Sequence, residues 1–211
     1  ILMSMMMVAM MFQMVSRAMA SAQRIVEVLE TDPAVVSGSR TLPEGGHGSI
    51  AFDHVSFCYP TSSSRPVLTD IDLTIRPGEN FAILGATGSG KTSLVNLIPR
   101  FYDASTGTIR IDGEDVRDLT LPGLRARIGM VLQKSELFSG TIADNIRWGN
   151  SGATDEEVME AAQIAQAHDF IMGFSEGYDT IIGEKGSSLS GGQKQRLAIA
   201  RAILKRPELL I

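Results

Sequence analysis

The sequence predicts an α/β fold built around a phosphate-binding loop, with an antiparallel β portion, a helical portion and an apolar helix ahead of them. Three observations carry this reading. Residues Gly85–Thr92 read GATGSGKT, matching G-x-x-x-x-G-K-[ST], between an apolar run of strand length, Asn80–Leu84, and an apolar helical pattern from Ser93 to Ile98. A second glycine turn, Leu189-Ser190-Gly191-Gly192-Gln193, opens a helical pattern from Lys194 to Lys205. The first 16 residues carry no charge and include most of the 11 methionines.

The N-terminal stretch starts Ile-Leu-Met, without the basic n-region of a secretory signal peptide. Ile1–Ser16 is shorter than the roughly 20 residues that span a bilayer. It reads as the last part of a transmembrane helix. Arg17 and Arg24 follow as cations do on the cytoplasmic side, and Val15, Ala18, Ala22, Ile25, Val28 and Leu29 continue the helix until Thr31-Asp32-Pro33 breaks it. A buried or dimerising helix of a soluble protein is the alternative. The Pro-, Gly- and Ser-rich residues from Pro33 to Gly48 read as a linker. The expected division is therefore a helix over 1–31, a linker over 32–48 and a nucleotide-binding domain over 49–211.

Within that domain, Ile50–Tyr59 and Val67–Ile75 partly alternate and predict an antiparallel pair. Thr108–Ile111 followed by Asp112-Gly113 predicts a strand running into a tight turn, and Ile128–Leu132 a further apolar strand. From about Thr141 to Phe174 the pattern is helical, with Thr154 and Glu157 at capping-box spacing. Pro207–Ile211 reads as the start of a buried strand that is cut off partway, with no aspartate at its end.

Composition bounds the function. Net charge is −5, which disfavours a duplex-binding basic surface. The single cysteine, Cys58, excludes an internal disulfide framework and is expected as a small buried side chain.

The loop carries most of the chemistry. The GATGSGKT pattern arises by chance in roughly one chain of this length in a hundred at average residue usage. Gly85, Gly88 and Gly90 let backbone N–H groups approach an anion, with Thr87 and Ser89 completing the turn. Lys91 is placed to meet β- and γ-phosphates, the Thr92 hydroxyl to bind Mg²⁺, and Ser93 to close the site. Ser190 and Gln193 have capping-box spacing. Capping leaves Gly191 and Gly192 unexplained, since each weakens a helix by up to about 1 kcal/mol against alanine. A Ser–Gly–Gly helix start suits an anion, so one chain offers two phosphate-binding elements. Two domains facing each other would use both.

These residues resemble those of an ATP-binding cassette (ABC) protein. The loop, Gln133 after an apolar strand and LSGGQ-KQR before a helix carry the likeness from about Gly48 onward. The resemblance implies the ABC type of P-loop NTPase fold, with ATP and Mg²⁺ as ligands. It also implies Tyr59 as the aromatic stacked on adenine. Ser190, Gly191, Gly192 and Gln193 would contact the γ-phosphate held by a partner domain. Gln133, with Lys91, would act at the reacting phosphate and, with Thr92, at the metal. Thr180–Gly186, including Glu184, is similar to the segment that meets the coupling helices of the transmembrane domain. The family's metal aspartate, general-base glutamate and switch histidine are expected beyond Ile211. His47, His54 and His168 do not replace them, so the chain is expected to bind ATP–Mg²⁺ and hydrolyse it poorly or not at all.

The implied function is one half of an exporter: multi-pass in the plasma (inner) membrane, nucleotide domain in the cytoplasm, paired as a homo- or heterodimer, with no nucleic acid partner. The alternatives are a soluble ABC ATPase working on DNA or ribosomes, and a regulatory half that binds nucleotide without hydrolysis.

Overall fold

A computed structural model describes residues 1–43, 45–60, 65–183 and 186–211. The chain forms two compact units, Ile1–Val36 and Ser37–Ile211.

The first unit is a single helix, α1 (Leu2–Leu29). Its 28 residues extend about 42 Å at roughly 1.5 Å per residue, more than the roughly 30 Å of a bilayer's hydrocarbon core. Its best 18-residue window has a mean hydropathy of 1.3, so length and composition suffice for a membrane crossing. Two of its hydroxyls bond within the helix, Ser4 Oγ donating to Ile1 O and Ser16 Oγ to Phe12 O, both at 2.8 Å. Polar groups satisfied in this way cost little where water is absent.

The second unit holds two apolar cores. The first lies under a four-stranded antiparallel sheet in the order β2–β1–β3–β4, with β1 at Ile50–Phe57, β2 at Leu68–Ile75, β3 at Thr106–Ile111 and β4 at Glu114–Asp115. Phe52, Val55 and Phe57 are buried on β1, where a bulge between Phe52 and Val55 resets the alternation. They pack with Ile109, Ile111 and Leu97 of α2 (Lys91–Leu97) and Leu124 of α3 (Leu121–Ala126). The predicted strand-to-turn at Asp112-Gly113 is present. Both residues have positive φ, 50° and 86°, as a type I′ hairpin turn requires. The Asp112 carboxylate accepts from the amide of Ser49 at 2.9 Å and its hydroxyl at 3.1 Å, tying this turn to the start of β1. Burial acts to raise its pKa, but these hydrogen bonds outweigh it and hold the carboxyl below the usual carboxylate range.

The second core is helical. It joins α4 (Ile142–Arg147), α5 (Asp155–Ile164), α6 (His168–Met172) and α7 (Gly191–Leu204) through Ile142, Ile146, Val158, Ala162, Ile171 and Leu197. Alanines at 161, 162 and 200 permit close helix approach. The expected Thr154–Glu157 capping box is made, and Thr141 with Asp144 makes another at the start of α4. The two-residue strands β6 (Gly140–Thr141) and β7 (Ile181–Ile182) pair beside this core.

Several expectations are corrected. Asn80–Leu84 forms no strand: among the described residues no ladder partner lies beside it, and Leu84 is 92% exposed. An extended segment becomes a strand only when a neighbour takes its N–H and C=O groups. The Ile128–Leu132 strand shortens to β5 (Ile128–Gly129), parallel to β8 (Leu209–Leu210), with one further bond from Val131 N to Ile211 O. Leu210 is exposed, so β8 is less buried than its composition suggests. Cys58 is half-buried. Part of the stretch read as a linker is also stitched down, with Gly38 N donating to Leu119 O and Thr120 N to Arg40 O. A Cβ on Gly38 would lie 2.2 Å from Asp118 O, so this glycine serves close backbone approach instead of flexibility.

Candidate functional site

The GATGSGKT loop runs into α2 with Gly90 as N-cap at φ 87°, and no side chain caps the helix. Its first amides are therefore left for an outside acceptor. The loop is tightly wound: Ser89 N donates to Ala86 O, and a Cβ on Gly85 would meet Ser89 Oγ at 2.7 Å. Gly90 is doubly constrained, since a Cβ there would also lie 2.9 Å from Leu68 Cδ2. Lys91 Nζ donates to Gly85 O at 2.7 Å and Ala86 O at 2.8 Å, folded over its own loop. Among the described residues no carboxylate pairs with it, so the cation is available to an incoming anion.

This loop walls a cavity of about 400 Å³, formed by Thr87–Ser93 and closed by Val67 and Gln133. The fold thus brings Gln133 to the loop across forty intervening residues. Thr92 and Gln133 are both exposed on this cavity. Among the described residues there is no cluster of three His, Cys, Asp or Glu. A hard cation here would rest on oxygen donors such as the Thr92 hydroxyl, the Gln133 carbonyl and oxygens of its anion, which suits Mg²⁺.

Tyr59 does not line the cavity but touches it through a neighbour. Its hydroxyl lies 2.9 Å from Ser93 Oγ, and its ring meets Phe57 and Tyr102 edge-on. That link, and the wall formed by Val67, are not visible in any sequence motif. Ser190–Gln193 stands apart from the cavity. Ser190 N donates to Gln193 Oε1 at 2.9 Å and Ser190 Oγ accepts from Gln193 N at 3.3 Å, completing the predicted capping box. Among the described residues outside their own helix, Cβ atoms on Gly191 or Gly192 would meet nothing within 4 Å.

The histidines do other work. His54 pairs with Asp70 on an exposed bulge, and this hydrogen bond raises its pKa. His168 bonds the Tyr178 hydroxyl beside the helical core. The exposed Ile181 lies in the segment likened to the coupling-helix contact, whereas Glu184 falls outside the described residues.

Against known families, residues 68–211 match the model described as ABC transporter. This chain belongs to the ABC transporter family. The match holds both the loop and the Ser–Gly–Gly turn, and the fold is the ABC type of P-loop NTPase. Curated ABC relatives include ABC transporter B family member 4 of Dictyostelium discoideum, 46% identical over 200 residues, or 95% of this chain and 26% of that protein. The ATP-dependent lipid A-core flippase of Syntrophus aciditrophicus (strain SB) is 47% identical over 199 residues, covering 93% of this chain and 32% of the flippase. Among solved structures, a bacterial Atm1-family ABC exporter with ATP bound superposes with a TM-score of 0.88 at 37% identity, over 97% of this chain and 36% of the exporter chain. This ABC chain thus spans about a third or less of the length of the relatives it matches.

Proposed function

We propose that this chain is the ATP-binding end of one half of an ABC exporter, in which closure of two nucleotide domains moves membrane helices. The observation that carries the reading is the cavity where the GATGSGKT loop and Gln133 meet, in a chain whose helix α1 is long and apolar enough to cross a membrane. In this reading the loop amides and Lys91 hold the β- and γ-phosphates of ATP, Thr92 and Gln133 orient Mg²⁺, and Tyr59 stacks on the adenine. Ser190, Gly191 and Gly192 complete the site of a facing domain, carried by the same or a different chain. ATP drives closure because it binds the closed pair more tightly than the open one. Gln133 and the Thr180–Gly186 segment pass closure to the coupling helices.

No carboxylate lines the cavity among the described residues, so the chain alone binds ATP–Mg²⁺ but hydrolyses it slowly. The domain faces the cytoplasm from a multi-pass protein of the plasma (inner) membrane. A soluble ABC ATPase would share the site but has no use for α1. Extraction of the parent protein decides between them: detergent dependence supports the exporter, and recovery in the soluble fraction after lysis removes it.

A further inference from the structure

Ser93 is a buried polar side chain on the first turn of α2, beside Thr92. Buried hydroxyls require a partner, and the structure supplies one in the Tyr59 hydroxyl at 2.9 Å. The Tyr59 ring is held on two further sides. Phe57, at the end of β1, meets it at 4.8 Å with planes 74° apart, and Tyr102, beyond α2, meets it at 5.1 Å and 88°. Two edge-on neighbours limit the tilt of the ring, and the hydroxyl bond stops it from swinging away from α2. A stacking platform depends on such fixed orientation, because an aromatic that must be ordered on binding loses affinity to that ordering.

We propose that Ser93 is a positioning residue for the nucleoside: through its hydroxyl it holds the Tyr59 ring in place to receive the base. The phosphate loop and the base platform are then one preorganised unit, joined at Ser93. This rests on the reading of Tyr59 as the aromatic that stacks on adenine.

The test compares ATP with inorganic tripolyphosphate, which has no base, using the full-length protein with thermal unfolding as the check on folding. Tyr59→Phe keeps the ring and removes the bond. It weakens ATP about threefold to tenfold, as expected for one net hydrogen bond, and leaves tripolyphosphate within twofold. Ser93→Ala weakens ATP more than tripolyphosphate, and adds little to that gap in the Tyr59→Phe background. Unchanged ATP affinity in Tyr59→Phe overturns the proposal, as does simple additivity of the two changes. Equal weakening of both ligands by Ser93→Ala also overturns it, since Ser93 would then serve the phosphates alone. Tyr59→Ala separates the underlying reading: if it leaves ATP binding intact, stacking itself is wrong. If it weakens ATP while Tyr59→Phe does not, only the role of the bond is lost.

Discussion

The two serine–glycine helix starts share their residue types and differ in their walls. At the loop before α2, Gly88 and Gly90 have φ of 84° and 87°, and Gly90 is also enclosed, since a side chain there would strike Leu68. At the start of α7, Gly191 and Gly192 lie within the helix, and a side chain on either would meet none of the described residues outside that helix within 4 Å. The first turn walls a cavity that Gln133 closes, with Lys91 folded over its own loop. The second is capped internally by Ser190 and Gln193 and stands apart from that cavity. Glycine therefore does two different jobs here, relieving strain in one place and clearing an approach in the other.

The comparison breaks most visibly at Lys91. Lys91→Ala removes charge-assisted hydrogen bonds of about 1.5–3 kcal/mol, so ATP–Mg²⁺ affinity falls by up to about 100-fold, read by nucleotide titration. Retained tight binding would remove the loop from the site. Ser190→Arg acts on the other turn. ATP binding to the single domain stays within about threefold, while ATP-driven pairing weakens by at least about tenfold in sedimentation, since a bulky cation fills the open approach. Persistent pairing sinks the facing-domain arrangement.

Two glycine changes sharpen the contrast further. Gly90→Ala forces a Cβ into a left-handed conformation against Leu68 and destabilises the fold by about 1–2 kcal/mol in denaturant unfolding. Gly192→Ala has the opposite sign. It stabilises the isolated chain by up to about 1 kcal/mol because helix propensity rises and nothing is crowded, yet it impairs pairing. Equal effects of the two changes on stability would erase the distinction between an enclosed and an open turn.

How much of this was legible depended on the range of the forces. The capping boxes at Thr154 and Ser190, the Asp112-Gly113 turn and the unbroken course of α1 all follow from neighbours a few residues apart. Sequence rules read such short-range preferences well. Asn80–Leu84 has the composition of a strand but has no ladder beside it among the described residues. Pro33–Gly48 has the composition of a linker, yet part of it is bonded along Asp118–Thr120. In both cases a distant segment decides.

The same division runs through the site. GATGSGKT and LSGGQ are local in sequence, since a loop that presents amides to one anion uses consecutive residues, and those residue types alone marked both turns as candidate phosphate-binding elements. Only tertiary structure decided that Gln133 closes the first cavity, that Ser93 reaches Tyr59, and that the second turn stays open. These are relations between surfaces far apart in the chain. Packing of the sheet and helical cores sets them, and no pattern of neighbouring residues encodes that geometry.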